Sequence, residues 1–143
     1  MIVLFIGLIT TFSTLFILFL KNSSPGPRPP TNKELHLFHP LTNTKINTQT
    51  LTQPATLDLS IIIPAYNETT RLPLMLTETF TYLNQRSLNN PSFTYEVIVV
   101  DDGSADATTQ TATQWAVKHS IHQMKLLTLE HNRGKGGAVT QVI

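Results

Sequence analysis

The sequence contains no cysteine, which excludes disulfide bonds, thiolate metal sites and a cysteine nucleophile. It also lacks an excess of either charge, because ten Lys and Arg residues stand against nine Asp and Glu. No basic stripe therefore predicts binding to nucleic acid. The serine-hydrolase pattern G-x-S-x-G and internal repeats are missing as well. These absences exclude several function classes before any motif is considered.

The first twenty residues carry no charged side chain. The run from Ile2 to Leu20 is uncharged and mostly apolar, and a helix of that length spans roughly 28 Å, close to the hydrocarbon thickness of a bilayer. A cleaved signal peptide is the alternative, but nothing basic precedes Ile2 and the apolar run is long. The sequence therefore predicts a transmembrane anchor over residues 1–21.

Basic residues after this run indicate its orientation. Lys21, Arg28 and Lys33 all lie on its C-terminal side, and the positive-inside rule places that side in the cytoplasm. The two glycosylation sequons, Asn22-Ser23-Ser24 and Asn67-Glu68-Thr69, would then stay unmodified.

Residues 22–57 form a polar stretch rich in Pro, Thr and Asn. Such a composition buries too little apolar surface to offset its ordering entropy, so it predicts a linker. Its short apolar cluster, Leu35, Leu37 and Phe38, either lies on the membrane or docks on the domain that follows.

Residues 58–143 alternate the patterns of strands and helices. Apolar strands are predicted at Leu57 to Ile63, where Pro64 ends the run, at Tyr95 to Val100 and at Lys125 to Leu129. Helices are predicted from the face Leu72, Leu76, Phe80 and Leu83, from Ala105 to His119 with Ser104 or Asp106 as the cap, and after Gly137. This order predicts an α/β fold with a parallel sheet of just three strands and an open edge.

A polar cluster follows each predicted strand. The clusters are Pro64 to Glu68, Asp101 to Ser104, and Asn132 to Gly137. In parallel sheets ligands bind in the crevice at the carboxyl ends of the strands. Each cluster alone is also compatible with an ordinary turn, a helix cap or a flexible glycine loop, so the prediction of a site depends on their coincidence.

The chemistry of the three clusters suits a nucleotide. Asp101 and Asp102 are adjacent, so one can cap backbone amides while the other faces a ligand. Gly103 permits a tight turn or a close backbone approach. The loop from Asn132 to Gly137 places two cations and three glycines before a helix, which suits a diphosphate although it matches neither a P-loop nor G-x-G-x-x-G.

The motifs I-I-I-P-A-Y-N-E, V-I-V-V-D-D-G-S and N-R-G-K-G-G-A, taken together, resemble the inverting glycosyltransferase family 2 with its GT-A (Rossmann-like) fold. The resemblance covers Leu59 to Val142. The finer details Arg71-Leu72-Pro73 and Phe93 to Val97 are most similar to the branch that transfers glucose from UDP-glucose to dolichyl phosphate in the endoplasmic reticulum membrane. It implies an incomplete GT-A domain over residues 58–143, and direct attack of an acceptor phosphate oxygen on the anomeric carbon.

The resemblance also implies which residues bind the nucleotide sugar. They are Pro64, Ala65, Tyr66, Glu68, Val100, Asp101, Asp102, Gly103, Arg133, Gly134 and Lys135. Pro64, Tyr66, Glu68, Val100 and Asp102 would line the nucleoside, and Arg133 and Lys135 would lie near the diphosphate.

The chain departs from the family pattern in its metal motif. The family's Asp-x-Asp, which holds Mg²⁺ or Mn²⁺, belongs on a further strand, and after Gly103 the only acidic residues are Asp106 and Glu130. We therefore expect no catalytic residue in this chain and no transferase activity from the 143 residues alone. A GDP-mannose-dependent polyprenyl-phosphate transferase, a non-catalytic membrane-anchored nucleotide-binding remnant and a receiver-like signalling domain are the alternatives.

Overall fold

The computed structural model describes residues 29, 31, 36–39, 44–47, 54–119 and 123–142. The predicted anchor, residues 1–21, lies outside these residues. Within the described ranges, no helix is both long enough and apolar enough to cross a membrane.

The described residues form five strands and three helices. In chain order they are β1 (His36–His39), β2 (Thr44–Asn47), β3 (Leu59–Ala65), α1 (Leu72–Asn89), β4 (Tyr95–Asp101), α2 (Thr108–Lys118), β5 (Met124–Thr128) and α3 (Gly134–Thr140). The strands make one sheet in the order β2-β1-β5-β4-β3. β3, β4 and β5 are parallel, which confirms the predicted α/β fold with a parallel sheet.

The prediction of a three-stranded sheet is wrong, because a hairpin in the predicted linker extends it. β1 and β2 pair antiparallel, and β1 pairs antiparallel with β5 through Phe38 and Leu126. The unpaired backbone groups along the edge of β5 supply hydrogen-bond partners that the hairpin sequence cannot find locally. The backbone at Leu37 and Phe38 is thus part of the sheet of the domain.

Pro64 does not end β3, which continues to Ala65. The carbonyl of Ala65 accepts the Asp102 N–H at 2.8 Å, so Ala65 directs its backbone groups toward β4. Backbone groups alternate in direction along a strand, so the nitrogen of Pro64 faces the outer side of β3. β3 is the last strand in the described sheet order, and an outer strand accepts a proline there without losing a ladder bond.

The core lies on both faces of the sheet. Helices α1 and α2 cover one face, where Val97 and Val99 of β4 are fully buried. The predicted helical face of α1 is confirmed, since Leu72, Leu76, Phe80 and Leu83 are all buried. Ile98 and Val100 point to the opposite face, where they pack with Leu127, Leu129 and Ala138.

Helix α2 begins later than predicted. Its N-cap is Ala107, which has no capping side chain. Asp106 precedes the cap and still accepts the Thr108 N–H at 2.9 Å. At its other end, the His119 ring stacks on Phe80 with 3.7 Å between ring centroids, which fixes α2 against α1.

Gly103 makes the closest backbone contact among the glycines described. Its φ is +70°, and a Cβ built there would lie 2.9 Å from the Asn132 nitrogen and 3.0 Å from the His131 carbonyl carbon. Both parts of the sequence prediction for this residue, a tight turn and a close backbone approach, are confirmed.

We predict that Gly103→Ala lowers the free energy of unfolding by about 2 to 4 kcal/mol, because it adds both left-handed strain and a backbone clash. Gly134 has a φ of +75° but open space around its Cβ position, so Gly134→Ala should cost about 1 to 2 kcal/mol. Gly136, in α3, has neither problem, so Gly136→Ala should be neutral or stabilising by roughly 0.5 kcal/mol. Urea unfolding of the three variants checks this order, and an equal loss at Gly103 and Gly136 contradicts it.

Candidate nucleotide-binding site

A cavity of about 310 Å³ opens at the carboxyl ends of β3 and β4, beside the loop that precedes α3. Its lining residues come from all three predicted clusters and are Pro64, Ala65, Tyr66, Glu68, Asp102, Asn132, Gly134 and Lys135. The convergence follows from the parallel sheet, because strands that run in one direction end at the same edge. A volume of this size is at the lower end of the range of small-molecule sites.

The aspartate pair divides its work as the sequence predicts. Asp101 is fully buried, and its carboxylate accepts the Ser104 N–H at 3.0 Å and the Thr109 hydroxyl. It therefore shapes the turn and does not line the cavity. Asp102 does line the cavity, although it is only 3% exposed.

Asp102 joins the three loops of the site. Its N–H is donated to the Ala65 carbonyl at 2.8 Å, and its Oδ1 accepts the Arg133 N–H at 2.7 Å. On the other side of the pair, the Asp101 carbonyl accepts the Leu129 N–H at 2.8 Å. The end of β4 thus fixes the positions of the segments that follow β3 and β5.

Asn67 binds the first loop to the second. It has a φ of 54°, a left-handed conformation that Asn adopts more readily than most residues. Its N–H is donated to Ser104 Oγ at 3.0 Å, and its Oδ1 accepts the Ala105 N–H at 2.9 Å.

A second set of bonds between these loops centres on Asp106. Its Oδ2 accepts the Thr69 hydroxyl at 2.6 Å, and its Oδ1 accepts the hydroxyl of Thr108. The Thr108 Oγ1 in turn accepts the Glu68 N–H at 2.7 Å. The Thr108 and Thr69 hydroxyls, which donate to the carboxylate, lower the pKa of Asp106 to about 2.

The Glu68 carboxylate is held by the guanidinium of Arg71. Arg71 Nε lies 2.6 Å from Glu68 Oε2, and Arg71 Nη2 donates to Glu68 Oε1 at 2.6 Å. Glu68 also lines a smaller adjoining cavity of about 250 Å³, together with Pro64, Ala65, Arg71, Leu72 and Met75. Glu68 therefore stands in the wall between the two cavities.

The third loop, which leads into α3, brings Gly134 and Lys135 to the cavity, but the Arg133 side chain contacts a segment outside it. Asn132 Oδ1 accepts the Gly134 N–H at 2.9 Å, a local bond that shapes the turn into α3. The Arg133 Nη2 donates to the Pro29 carbonyl at 3.1 Å. The backbone of Arg133 thus belongs to the site through Asp102, while its guanidinium contacts the segment before the domain.

Seven of the eleven residues predicted for the site line the cavity: Pro64, Ala65, Tyr66, Glu68, Asp102, Gly134 and Lys135. Four do not. Val100 is fully buried in the core beneath the site, Asp101 and Gly103 shape the turn, and Arg133 faces Pro29. The burial of Val100 follows from the alternation of side chains along β4. Val100 points to the same face of the sheet as Ile98, where both pack in the core.

Asn132 also lines the cavity, although the sequence prediction did not assign it to the site. The signal was present, because Asn132 opens the polar cluster that continues to Gly137. The contacts of Asn67, Asp106 and Thr108 had no such signal, although Asn67 lies in the first cluster, because they join loops nearly forty residues apart in the chain.

The carboxylates at the cavity do not make a metal site by themselves. Throughout the part of the chain that the structure describes, no three His, Asp or Glu side chains are grouped closely enough to hold an ion. Asp102 and Glu68 each have an oxygen bonded to the protein already.

The lowered pKa of Asp106 predicts a specific loss of stability in acid. Its folded value is about 2, against 3.8 for an unperturbed group, so the ionised form stabilises the fold above about pH 4 and that contribution disappears as the pH falls toward 2. We expect Asp106→Asn to be less stable than the unaltered chain at pH 6, with most of the difference lost near pH 2.

Urea unfolding from pH 7 to pH 2 measures this difference. Asp58 is the matched control, because hydrogen bonds from Thr94 also lower its pKa but at a distance from the site. When Asp58→Asn is present in both proteins, the difference in stability between Asp106→Asn and its parent should depend on pH in the same way. A constant difference between Asp106→Asn and its parent across this pH range would contradict the assignment.

Comparison with known proteins identifies the family of this chain. The family model "Glycosyl transferase family 2" matches residues 60–143. A dolichyl-phosphate beta-glucosyltransferase of Drosophila melanogaster is 45% identical over 123 residues, which is 85% of this chain and 38% of that protein. The protein of the same name from Homo sapiens is 49% identical over 84 residues, 59% of this chain and 26% of that protein. The Saccharomyces cerevisiae protein is 33% identical over 147 residues, 96% of this chain and 42% of that protein.

Among solved structures, a mannosyltransferase from Pyrobaculum calidifontis in complex with GDP-Man and Mn²⁺ is similar at a TM-score of 0.40 and 26% identity, over 63% of this chain and 27% of that one. The chain spans between 26% and 42% of the length of the three named relatives. Its parallel α/β sheet is GT-A-like. Since the family match covers residues 60–143, more than half of the chain, the chain belongs to glycosyltransferase family 2.

Proposed function

We propose that this chain carries the donor-nucleotide-binding part of an enzyme that transfers glucose from UDP-glucose to dolichyl phosphate. The product is dolichyl β-D-glucosyl phosphate, which serves the assembly of N-glycan precursors. The observation that carries the proposal is the cavity at the carboxyl edge of the sheet, where three loops bring together hydrogen-bond acceptors, an aromatic ring and a cation.

Each wall of the cavity suits one part of a nucleotide. The Asp102 and Glu68 carboxylates accept hydrogen bonds, as a base N–H and ribose hydroxyls require. The Tyr66 side chain is half exposed at the rim, where a base can stack on it. Lys135 supplies a positive charge for the diphosphate beside the start of α3.

The identity of the sugar and of the acceptor is supported by the relatives. Proteins named dolichyl-phosphate beta-glucosyltransferase match 59% to 96% of this chain at 33% to 49% identity. We assign the transfer step, and the carboxylates that would hold Mg²⁺ or Mn²⁺, to parts of the complete enzyme outside these 143 residues. In that step an acceptor phosphate oxygen attacks the anomeric carbon and UDP leaves from the opposite side.

We further propose that the domain works at the cytosolic face of the endoplasmic reticulum membrane. The support is the uncharged run from Ile2 to Leu20 and the basic residues that follow it. A lipid-linked acceptor such as dolichyl phosphate is confined to the bilayer, so an anchored donor site meets it without a search through solution.

We predict that the 143-residue chain in detergent binds UDP-glucose more tightly than GDP-mannose. Asp102→Asn should weaken UDP binding by roughly tenfold or more, since a hydrogen bond to a charged group contributes about 1.5 to 3 kcal/mol. Glu78→Gln removes a carboxylate from the exposed side of α1 and serves as the control. Isothermal titration measures all of these affinities.

A preference for GDP-mannose would favour the mannosyl alternative, and no affinity for either donor would reject the proposal. Transfer of radiolabelled glucose to dolichyl phosphate by the same preparation would contradict the assignment of the transfer step to residues beyond this chain.

The cytosolic orientation predicts that both sequons stay unmodified in eukaryotic cells. Asn22 and Asn67 are the two acceptor positions, and oligosaccharide is attached only in the lumen. We expect endoglycosidase treatment to leave the mass of the expressed chain unchanged. An added sequon at the N-terminus is the matched control, because it lies on the opposite side of the anchor and should be glycosylated. A mass shift at Asn22 would contradict the proposed orientation, because it would place the C-terminal side of the anchor in the lumen.

A further inference from the structure

The pair formed by Glu68 and Arg71 is bidentate. Two parallel bonds of 2.6 Å join the guanidinium to the two carboxylate oxygens. Arg71 is the N-cap residue of α1, and its side chain is 78% exposed, whereas that of Glu68 is 26% exposed. Such a fork fixes the plane of the carboxylate as well as its distance.

The backbone of Glu68 is fixed on both sides. Its N–H is donated to Thr108 Oγ1 at 2.7 Å, and its carbonyl accepts the N–H groups of Arg71 and Leu72 at 3.1 and 2.8 Å. Rotation about the side-chain bonds of Glu68 is therefore the remaining freedom, and Arg71 is the residue that restricts it.

The two partners lie differently with respect to the proposed nucleotide site. Glu68 lines both cavities, whereas Arg71 lines only the smaller one. The guanidinium thus stands behind the carboxylate as seen from the larger cavity. This placement separates an effect that passes through Glu68 from a direct contact between Arg71 and a ligand.

We propose that Arg71 is a positioning residue for the donor nucleotide. It holds the Glu68 carboxylate in one orientation as the acceptor for the ribose hydroxyls, and it offsets the negative charge of Glu68 beside the diphosphate. The inference rests on the proposed function. A carboxylate offers about four acceptor positions, so the two taken by Arg71 leave two for the neighbouring hydroxyls of a ribose.

A contribution to stability alone does not explain this arrangement. Exposed ion pairs stabilise proteins only slightly, because solvent screens them. A lysine at this position would supply the positive charge but not the two parallel hydrogen bonds, because its ammonium is a point charge on a flexible side chain. The pair should therefore matter for ligand binding more than for folding.

A double-mutant cycle tests the proposal. Affinities for UDP and for uridine are measured by titration on the 143-residue chain in detergent for Arg71→Met, Arg71→Lys, Glu68→Gln and the Arg71→Met/Glu68→Gln double variant. We expect Arg71→Met to raise the Kd for both ligands roughly fivefold, which suits a pair whose arginine is largely exposed. Arg71→Lys should fall between Arg71→Met and the unaltered chain. The double variant should bind no worse than Glu68→Gln.

Arg86→Met is the matched control, because Arg86 lies near the other end of α1, over the ring of Phe93, and should leave both affinities unchanged. Thermal unfolding should show that Arg71→Lys is as stable as its parent. The proposal would be overturned if Arg71→Met weakened the binding of UDP but not of uridine, and if this loss persisted when Glu68→Gln was also present. That result would indicate a direct contact between Arg71 and a phosphate. Unchanged affinity in Arg71→Met would also overturn it while leaving the proposed function intact. An unaltered chain that binds no UDP would instead overturn the proposed function and this inference together.

Discussion

The site depends on the bonds that Asp102 makes at the end of β4. Every residue of β4 is buried, so the position where this strand ends is fixed by packing on both faces of the sheet. From that position the N–H of Asp102 reaches the Ala65 carbonyl, and its carboxylate reaches the Arg133 N–H. A change that displaced Asp102 would therefore shift the loops after β3 and before α3 together.

Burying a carboxylate is costly unless hydrogen bonds replace its water. Asp101 meets this requirement entirely within the protein, because the Ser104 amide and the Thr109 hydroxyl occupy its two oxygens. Asp102 has a different environment, since one of its oxygens accepts a backbone amide and the residue also borders the cavity. At Asp102, a ligand that donates a hydrogen bond to the carboxylate would take the place of water, because the residues that the structure describes do not supply that donor. The two neighbouring aspartates thus differ in role because they differ in what surrounds them.

The sequence predicted those parts of the molecule that depend on local pattern or on general topology. The spacing of Leu72, Leu76, Phe80 and Leu83 is that of one helical face, and the helix follows. Convergence of the three clusters needed only the rule that parallel strands end at one edge. The hairpin escaped prediction because its place in the sheet depends on the pairing of Phe38 with Leu126 of β5, which lies far away in the chain. The conformation of Asn67 escaped it for the same reason, since the bonds that hold it come from Ser104 and Ala105.

The directions in which the Arg and Lys side chains point could also not be predicted from the sequence. Arg133 and Lys135 are separated by one residue, yet Lys135 lines the cavity while Arg133 donates to Pro29. Arg71 showed no chemical role in the sequence, yet it is the cation bonded to a carboxylate of the cavity wall. This distribution has an electrostatic consequence. A diphosphate that approaches two carboxylates is repelled unless nearby cations and amides offset their charge. In the proposed binding mode, Arg71 behind Glu68 and a backbone amide on Asp102 leave the carboxylate acceptors to the nucleoside, and Lys135 attracts the phosphates.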